Sequence, residues 1–266
     1  MRAPTVRARV LSALIALAAV SVTAEVHAQT LAQRVRGVSN GVVELSYASR
    51  PGVCGDGRRY FSMGQRSYFG EWNGGYRASC VPGPARVRMH VERGTVTDVK
   101  VTVGPRLTRE ERATDLGEVG SVDAANYFLS LADTSSTHVT HGAITAAVLA
   151  DSASVWRRLL AIASDTSRVS GSTRRDALFW VGRFVAAKIT GHGEDVTAVE
   201  DDGDRDDPRD AAVFALSQLR GKEGVEPLLL IARSHKDPQV RQKAIFWLGQ
   251  SGDPRAVRLF AEILRG

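Results

Sequence analysis

Ala212-Val213-Phe214-Ala215-Leu216-Ser217-Gln218 returns 32 positions later as Ala244-Ile245-Phe246-Trp247-Leu248-Gly249-Gln250. Val225 returns as Val257 at the same offset, and Leu228 as Phe260. Residues 207–266 therefore read as two copies of one unit, each with two apolar segments. A period of this length with paired apolar segments predicts a helical solenoid.

The pattern extends upstream. Apolar segments recur at Phe128-Leu129-Ser130-Leu131-Ala132, Leu159-Leu160-Ala161-Ile162-Ala163, Leu228-Leu229-Leu230-Ile231-Ala232 and Phe260-Ala261-Glu262-Ile263-Leu264. Between them run partner segments that begin at Ala143, Ala177, Ala212 and Ala244, with steps of 34, 35 and 32. Asp207-Pro208, Asp237-Pro238 and Asp253-Pro254 each set an N-cap Asp before an N1 Pro, the chemistry that starts a helix. The stretch Asp237-Pro238-Gln239-Val240-Arg241-Gln242-Lys243-Ala244, followed by Leu248-Gly249, resembles a HEAT repeat. The likeness is to the short bacterial kind also found in phycobilisome-lyase HEAT-like proteins, and it covers about 121–266. Arg241 matches the family's helix-borne Arg, and Arg174 and Arg209 hold the same register. The resemblance implies an armadillo-like α-α superhelix that binds proteins. A lyase-like or enzyme-accessory role is the alternative it suggests, with no chromophore-handling residue to carry over.

One copy departs from the pattern. The apolar segment due near Glu194 is missing, and 191–210 instead holds nine acidic residues opposed only by Arg205 and Arg209. This stretch reads as an exposed loop, with two functional alternatives. One is docking to a basic surface. The other is calcium binding through Asp201, Asp202, Asp204 and Asp206, although no start residue supplies both the Gly and the Glu of an EF-hand loop.

Ahead of the helices lies β patterning. Val43, Leu45 and Tyr47 alternate, as do Val87, Met89 and Val91, and then Val99, Val101 and Val103; Arg93-Gly94 turns between the last two runs. Residues 29–103 are expected to form a small antiparallel β domain, with 104–120 as a linker and 121–266 as the repeat domain. The fold class is α+β. Tyr60, Phe61, Tyr68, Phe69, Trp72 and Tyr76 fall within seventeen residues. They read either as the core of a domain short of aliphatics or as a stacking surface for cell-wall glycan.

Residues 1–28 have the plan of a signal peptide: Arg2, Arg7 and Arg9, then thirteen residues that are apolar except for Ser12 and Ser21, then Val26-His27-Ala28. The run is too short to span about 30 Å of hydrocarbon. The expectation is a periplasmic or secreted protein cleaved near Ala28, with no membrane span. In that compartment Cys54 and Cys80, the two cysteines of the chain, pair as a disulfide. The net charge of +6 is spread along the chain rather than clustered, so no nucleic-acid partner is expected.

Catalysis needs convergent groups in a pocket. The sequence holds no GxSxG, HExxH, Walker or GxGxxG motif. His138 and His141 sit three apart and lack a nameable third ligand, so they read as ordinary loop histidines; no metal, cofactor or catalytic residue is assigned. Trp180 and Trp247 share a register that Ala146 and Ala215 fill in the other units. The alternation reads either as complementary packing or as an interface. The second reading gives a partner-binding set of Trp180, Trp247, Arg174, Arg209, Arg241 and Lys243, since Trp and Arg are enriched at binding hot spots. The function expected is a non-catalytic, exported HEAT-repeat scaffold of the cell envelope with a protein partner.

Overall fold

The computed structural model describes residues 29–58, 60–64, 67–70, 80–105, 112–134, 137–199, 208–220 and 222–266. The leader 1–28, the side chains of Tyr68, Phe69 and His138, the residues Trp72 and Tyr76, and the acidic run 200–207 lie outside them.

The N-terminal part contains α1 (Leu31–Arg36), β1 (Asn40–Tyr47), β2 (Val53–Gly55), β3 (Tyr60–Met63), β4 (Ser67–Gly70), β5 (Val81–Pro82), β6 (Ala85–Glu92), β7 (Thr95–Val103) and β8 (Thr114–Glu118). The strands form two sheets, ordered β7-β6-β1-β8 and β4-β3-β2-β5. In the first sheet alternation sets the register: Val43 faces Met89, Leu45 faces Val87, and Met89 faces Val99. This buries Val43, Leu45, Tyr47, Val87, Met89 and Val99 on one side. The other side carries polar groups, among them Glu44 paired with Arg88 at 2.6 Å. Arg93 and Gly94 both take positive φ, 50° and 72°, as a two-residue hairpin turn requires.

One strand departs from the sequence pattern. β8 lies inside the segment expected as a linker, and it runs parallel to β1. Its Thr114-Asp115-Leu116-Gly117-Glu118 has one large apolar residue, so an edge strand joined through its backbone gives no alternation to read. The second sheet carries the Cys54–Cys80 disulfide, as expected. Tyr60 and Phe61 are buried in it, which places these two aromatics on the core side of the two readings.

The helices are α2 (Ser121–Thr134), α3 (Thr137–Leu149), α4 (Trp156–Ser164), α5 (Gly171–Ile189), a 3-10 turn (Val196–Ala198), α6 (Pro208–Ser217), α7 (Val225–Ser234), α8 (Pro238–Ser251) and α9 (Pro254–Arg265). α3 lies on β7 and joins helices and sheet into one hydrophobic core. The Tyr47 hydroxyl, on β1, donates to the Ala146 carbonyl of α3 at 2.6 Å. Burial pushes this phenol far above its ordinary range.

Neighbouring helices stack in two ways. α3 and α5 run parallel, with Thr140 against Thr173 at 2.9 Å and His141 against Asp176 at 3.3 Å. α6 and α8 also run parallel, through Arg209–Asp237, Asp210–Lys243 and Phe214–Trp247. α5 and α8, however, meet antiparallel. Gly249 sits against Leu178 and Phe179, while Gly182, four residues further along α5, sits against Ile245, four residues back along α8. The missing Cβ atoms let the two backbones close in. The four-unit array therefore breaks after α5, where the apolar segment near Glu194 is absent. In its place the 3-10 turn covers α5, with Arg183 donating to the carbonyls of Val196 at 3.1 Å and Val199 at 3.0 Å. The result is two helical modules, α2–α5 and α6–α9, docked through α5, α8 and α9.

The Asp-Pro starts form as expected at α8 and α9. Asp237 accepts from the Gln239 amide and Asp253 from the Arg255 amide, each at 2.9 Å. The Arg255 guanidinium, the Arg255 amide and Lys222 outweigh burial and hold the Asp253 carboxyl at about 2. A depressed carboxylate contributes stability that is complete above its ordinary value of 3.8 and is lost as pH falls through about 2. Asp253→Ala is expected to cost about 1–2 kcal/mol at neutral pH. It should also flatten the acid limb between about pH 4 and 2, read by urea unfolding across that range. An unchanged acid limb would refute this role.

Candidate functional site

The structure places the six partner-binding candidates in different settings. Arg174 and Arg241 reach backwards. Arg174 Nη1 donates to the Val169 carbonyl at 2.7 Å, and Arg241 Nη1 to the His235 carbonyl at 2.7 Å. Each guanidinium thus ties down the turn that leads into its own helix, an equivalent job in two copies. Trp180 is 3% exposed and belongs to the core. Arg209 is largely exposed and paired with Asp237 at 2.8 Å. Lys243 and Asp210 form a mostly buried pair at 3.3 Å. Trp247 is half-buried, and its ring centroid lies 5.2 Å from that of Phe214. Trp247 Nε1 is buried without a hydrogen-bond partner among the described residues.

Arg209, Lys243 and Trp247 thus gather where α6 crosses α8, whereas Arg174 and Trp180 belong to α5. The rings still connect: Trp180, Phe179, Phe246, Trp247 and Phe214 form a row with successive centroid separations of 5.1, 6.4, 5.0 and 5.2 Å. The row starts in the core and ends at the surface.

Three surface residues were absent from the sequence candidates. Phe214 and Leu219 are each 47% exposed and Leu230 is 66% exposed. All three belong to α6 and α7 or to the turn between them. The signal for Leu230 was present in Leu228-Leu229-Leu230-Ile231. Four consecutive apolar residues wrap more than a full turn, so a helix packed on one side must leave part of the run in water.

A cleft of ≈ 600 Å³ opens between α5, the 3-10 turn and the first half of α8. Phe179, Ile189 and Phe246 supply apolar wall; His192, Gln239 and Lys243 supply polar wall. Groups with displaced protonation lie elsewhere. Asp176 holds the His141 imidazole above its ordinary value, and burial pushes Tyr127 to about 12. These sit on α3 and α2 and do not converge on the cleft. Among the described residues, no group of three His, Cys, Asp or Glu side chains is placed to hold a metal ion.

Parallel-stacked helices with a repeated Asp-Pro start, and a repeated Arg clamp to the preceding turn, define a helical repeat segment. Residues 196–266 match the family model for HEAT repeats, so the C-terminal part of this chain is a HEAT repeat segment. The match coincides with the module α6–α9 and the 3-10 turn before it. HEAT repeats generally mediate protein–protein interaction and typically form non-enzymatic scaffolds. No curated protein and no solved structure matches the chain. No described helix is long and apolar enough to cross a membrane.

Proposed function

We propose that this chain is an exported, non-catalytic scaffold of the cell envelope that binds a protein partner through the outer face of α6 and α7. The observation that carries the reading is the exposure of Phe214, Leu219 and Leu230 on one terminal helical pair. A repeat array normally ends in a unit with a polar outer face. Here the terminal pair of the α6–α9 module keeps large apolar side chains in water, which marks a surface that another molecule covers. Trp247 and Arg209 border the face and supply the residue types that dominate interface energetics. The leader-like residues 1–28 and the Cys54–Cys80 disulfide support an oxidising compartment.

The test is affinity capture from an envelope extract, with the parent chain compared with a Phe214→Ser/Leu230→Ser variant. Leu230→Ser lies at an exposed position and should change stability by less than about 0.5 kcal/mol, while Phe214→Ser also removes the ring contact with Trp247, worth about 0.5–1.5 kcal/mol. The variant should melt slightly below the parent, remain folded by circular dichroism, and lose the captured protein by about tenfold or more. Equal capture by both chains would remove α6–α7 as the binding face.

A further inference from the structure

α7 and α9 are tied together by two ion pairs. Arg255 Nη1 donates to Glu226 Oε2 at 3.1 Å near the start of both helices, and Arg233 Nη2 to Glu262 Oε2 at 3.3 Å near their ends. Glu226 to Arg233 on α7 and Arg255 to Glu262 on α9 each span two turns, about 10 Å of rise. The two helices therefore run parallel and in step. None of these residues lines the α5–α8 cleft.

Leu230 lies between the ion pairs. It follows Glu226 by four residues and precedes Arg233 by three, the spacing that sets all three on one side of α7. It is the most exposed large apolar side chain among the described residues. Arg258 holds the matching place on α9, three residues after Arg255 and four before Glu262. It is exposed and makes no ion pair among the described residues.

The charges of this face form a checkerboard. They run negative then positive along α7, and positive then negative along α9. Arg255 also holds Asp253, whose other cation is Lys222, so that group adds no net charge. A uniformly acidic or basic partner would meet as many like charges as opposite ones. A second copy turned about a two-fold axis meets only opposite ones. With the axis parallel to the helices and midway between them, α7 of one copy lies over α9 of the other. Glu226 then faces the partner's Arg255, and Arg233 faces the partner's Glu262. Leu230 lands on the partner's Arg258, whose aliphatic stem is apolar and whose guanidinium reaches past it to water. An axis across the helices would also match the four charges, but it sets Arg258 against itself, a like-charge contact that costs affinity.

We infer that the chain pairs with a second copy of itself through the α7–α9 face, about a two-fold axis parallel to these helices. Two-fold interfaces are the commonest between identical chains, and they require a surface that complements itself. Burial of Leu230 supplies attraction. Exposed ion pairs add little by themselves, so the checkerboard acts mainly to fix the register. The inference rests on the scaffold reading in taking Leu230 as a covered residue. It names a second copy as what covers α7 and leaves Phe214 and Leu219 to the captured partner.

The test is sedimentation equilibrium of the full chain. The parent should be dimeric at about 100 µM and dissociate as salt rises. Leu230→Ser should weaken the dimer by about tenfold or more. Arg233→Glu leaves two negative charges at the end of the face and Glu262→Arg leaves two positive ones; each variant should stay folded and weaken the dimer by about tenfold or more. An equimolar mixture of these two variants should recover pairing close to the parent's affinity, because the acidic pair of one chain meets the basic pair of the other. A bridge with a purely internal role predicts no recovery in the mixture, and that result overturns the inference. So does a parent that stays monomeric. Phe214→Ser alone should self-associate like the parent, and a loss there overturns the placement on α7 and α9. If the parent is monomeric while Phe214→Ser/Leu230→Ser still releases a captured protein, the pairing fails and the scaffold reading stands. If pairing follows this pattern while capture is unchanged, the α6–α7 reading fails alone.

Discussion

Replacing Phe260 with alanine is expected to lower the stability of the chain by about 3–5 kcal/mol, the range for a fully buried phenylalanine truncated to alanine. Phe260 lies on α9 and has no exposed surface. Its ring passes close to Gly182 on α5, where an added Cβ would meet it at 3.4 Å. Nearby, Lys188 of α5 donates to the Leu264 carbonyl of α9 at 3.0 Å. The phenyl ring thus fills the space that Gly182 leaves, at the contact joining the two helical modules. Its removal leaves a cavity that neither backbone can readily close. For a chain of this size the loss corresponds to about 6–20 °C in the melting temperature. Hydrogen exchange should locate the effect, with α8 and α9 losing protection before α2 and α3. Gly182→Ala is the control: 3.4 Å is ordinary contact, so it should cost under about 1.5 kcal/mol. A loss below about 1 kcal/mol for Phe260→Ala would mean that α9 is not part of the common core.

Gly142→Ala is the second large effect, and its sign runs against helix propensity. Alanine in the middle of a helix is favoured over glycine by roughly 0.5–1 kcal/mol. At this position on α3, however, a Cβ would lie 2.0 Å from the Val99 carbonyl oxygen of β7 and 2.9 Å from its carbonyl carbon. These are backbone atoms, so no side-chain rotation relieves the clash. The helix must lift from the sheet, which disturbs the Tyr47–Ala146 hydrogen bond one turn away. Overpacking of this severity costs about 3 kcal/mol, which exceeds the propensity gain and gives net destabilisation by about 2 kcal/mol or more. Gly171→Ala, at the start of α5, meets only arginine side-chain nitrogens, at 3.7 Å and beyond, and should be neutral or stabilising. Thermal melts of the pair decide the matter. A Gly142→Ala chain as stable as its parent would show that α3 does not press on β7.

Much of this fold is legible in the sequence because its signals are local. The 32-residue period gave α6 through α9, and the Asp-Pro starts gave the first residues of α8 and α9. Alternation from Val87 to Val103 gave the β6–β7 hairpin. β8 was hidden because an edge strand held by backbone hydrogen bonds need not alternate. The reversal of α8 against α5 was hidden because helix direction depends on which neighbour is reached, and periodicity is the same either way. Part of the candidate site was legible in the same sense. Arg209, Lys243 and Trp247 all lie along the α6–α8 pair, against Asp237, Asp210 and Phe214 in turn. Trp180 shares the register of Trp247 and is nevertheless buried, because α5 is packed on several sides whereas α8 leaves Trp247 half in water. Arg174 and Arg241 were visible as repeated residues, but their hydrogen bonds to turn carbonyls depend on side-chain reach that a pattern does not encode.

The antiparallel seating of α8 on α5 also bears on how such a chain can lengthen. A repeat array grows by duplicating a unit, and each new copy must find the parallel neighbour its surface was shaped for. The pair α8–α9 has no free flank, with α6 parallel on one side and α5 reversed on the other. A copy inserted before α6 would have to displace the α5 contact or continue outward from α6. The outward edge of α6 is thus the one place where a duplicated unit adds without rebuilding an existing seam. Phe214, by contrast, turns toward α8, where its half-exposed ring meets that of Trp247.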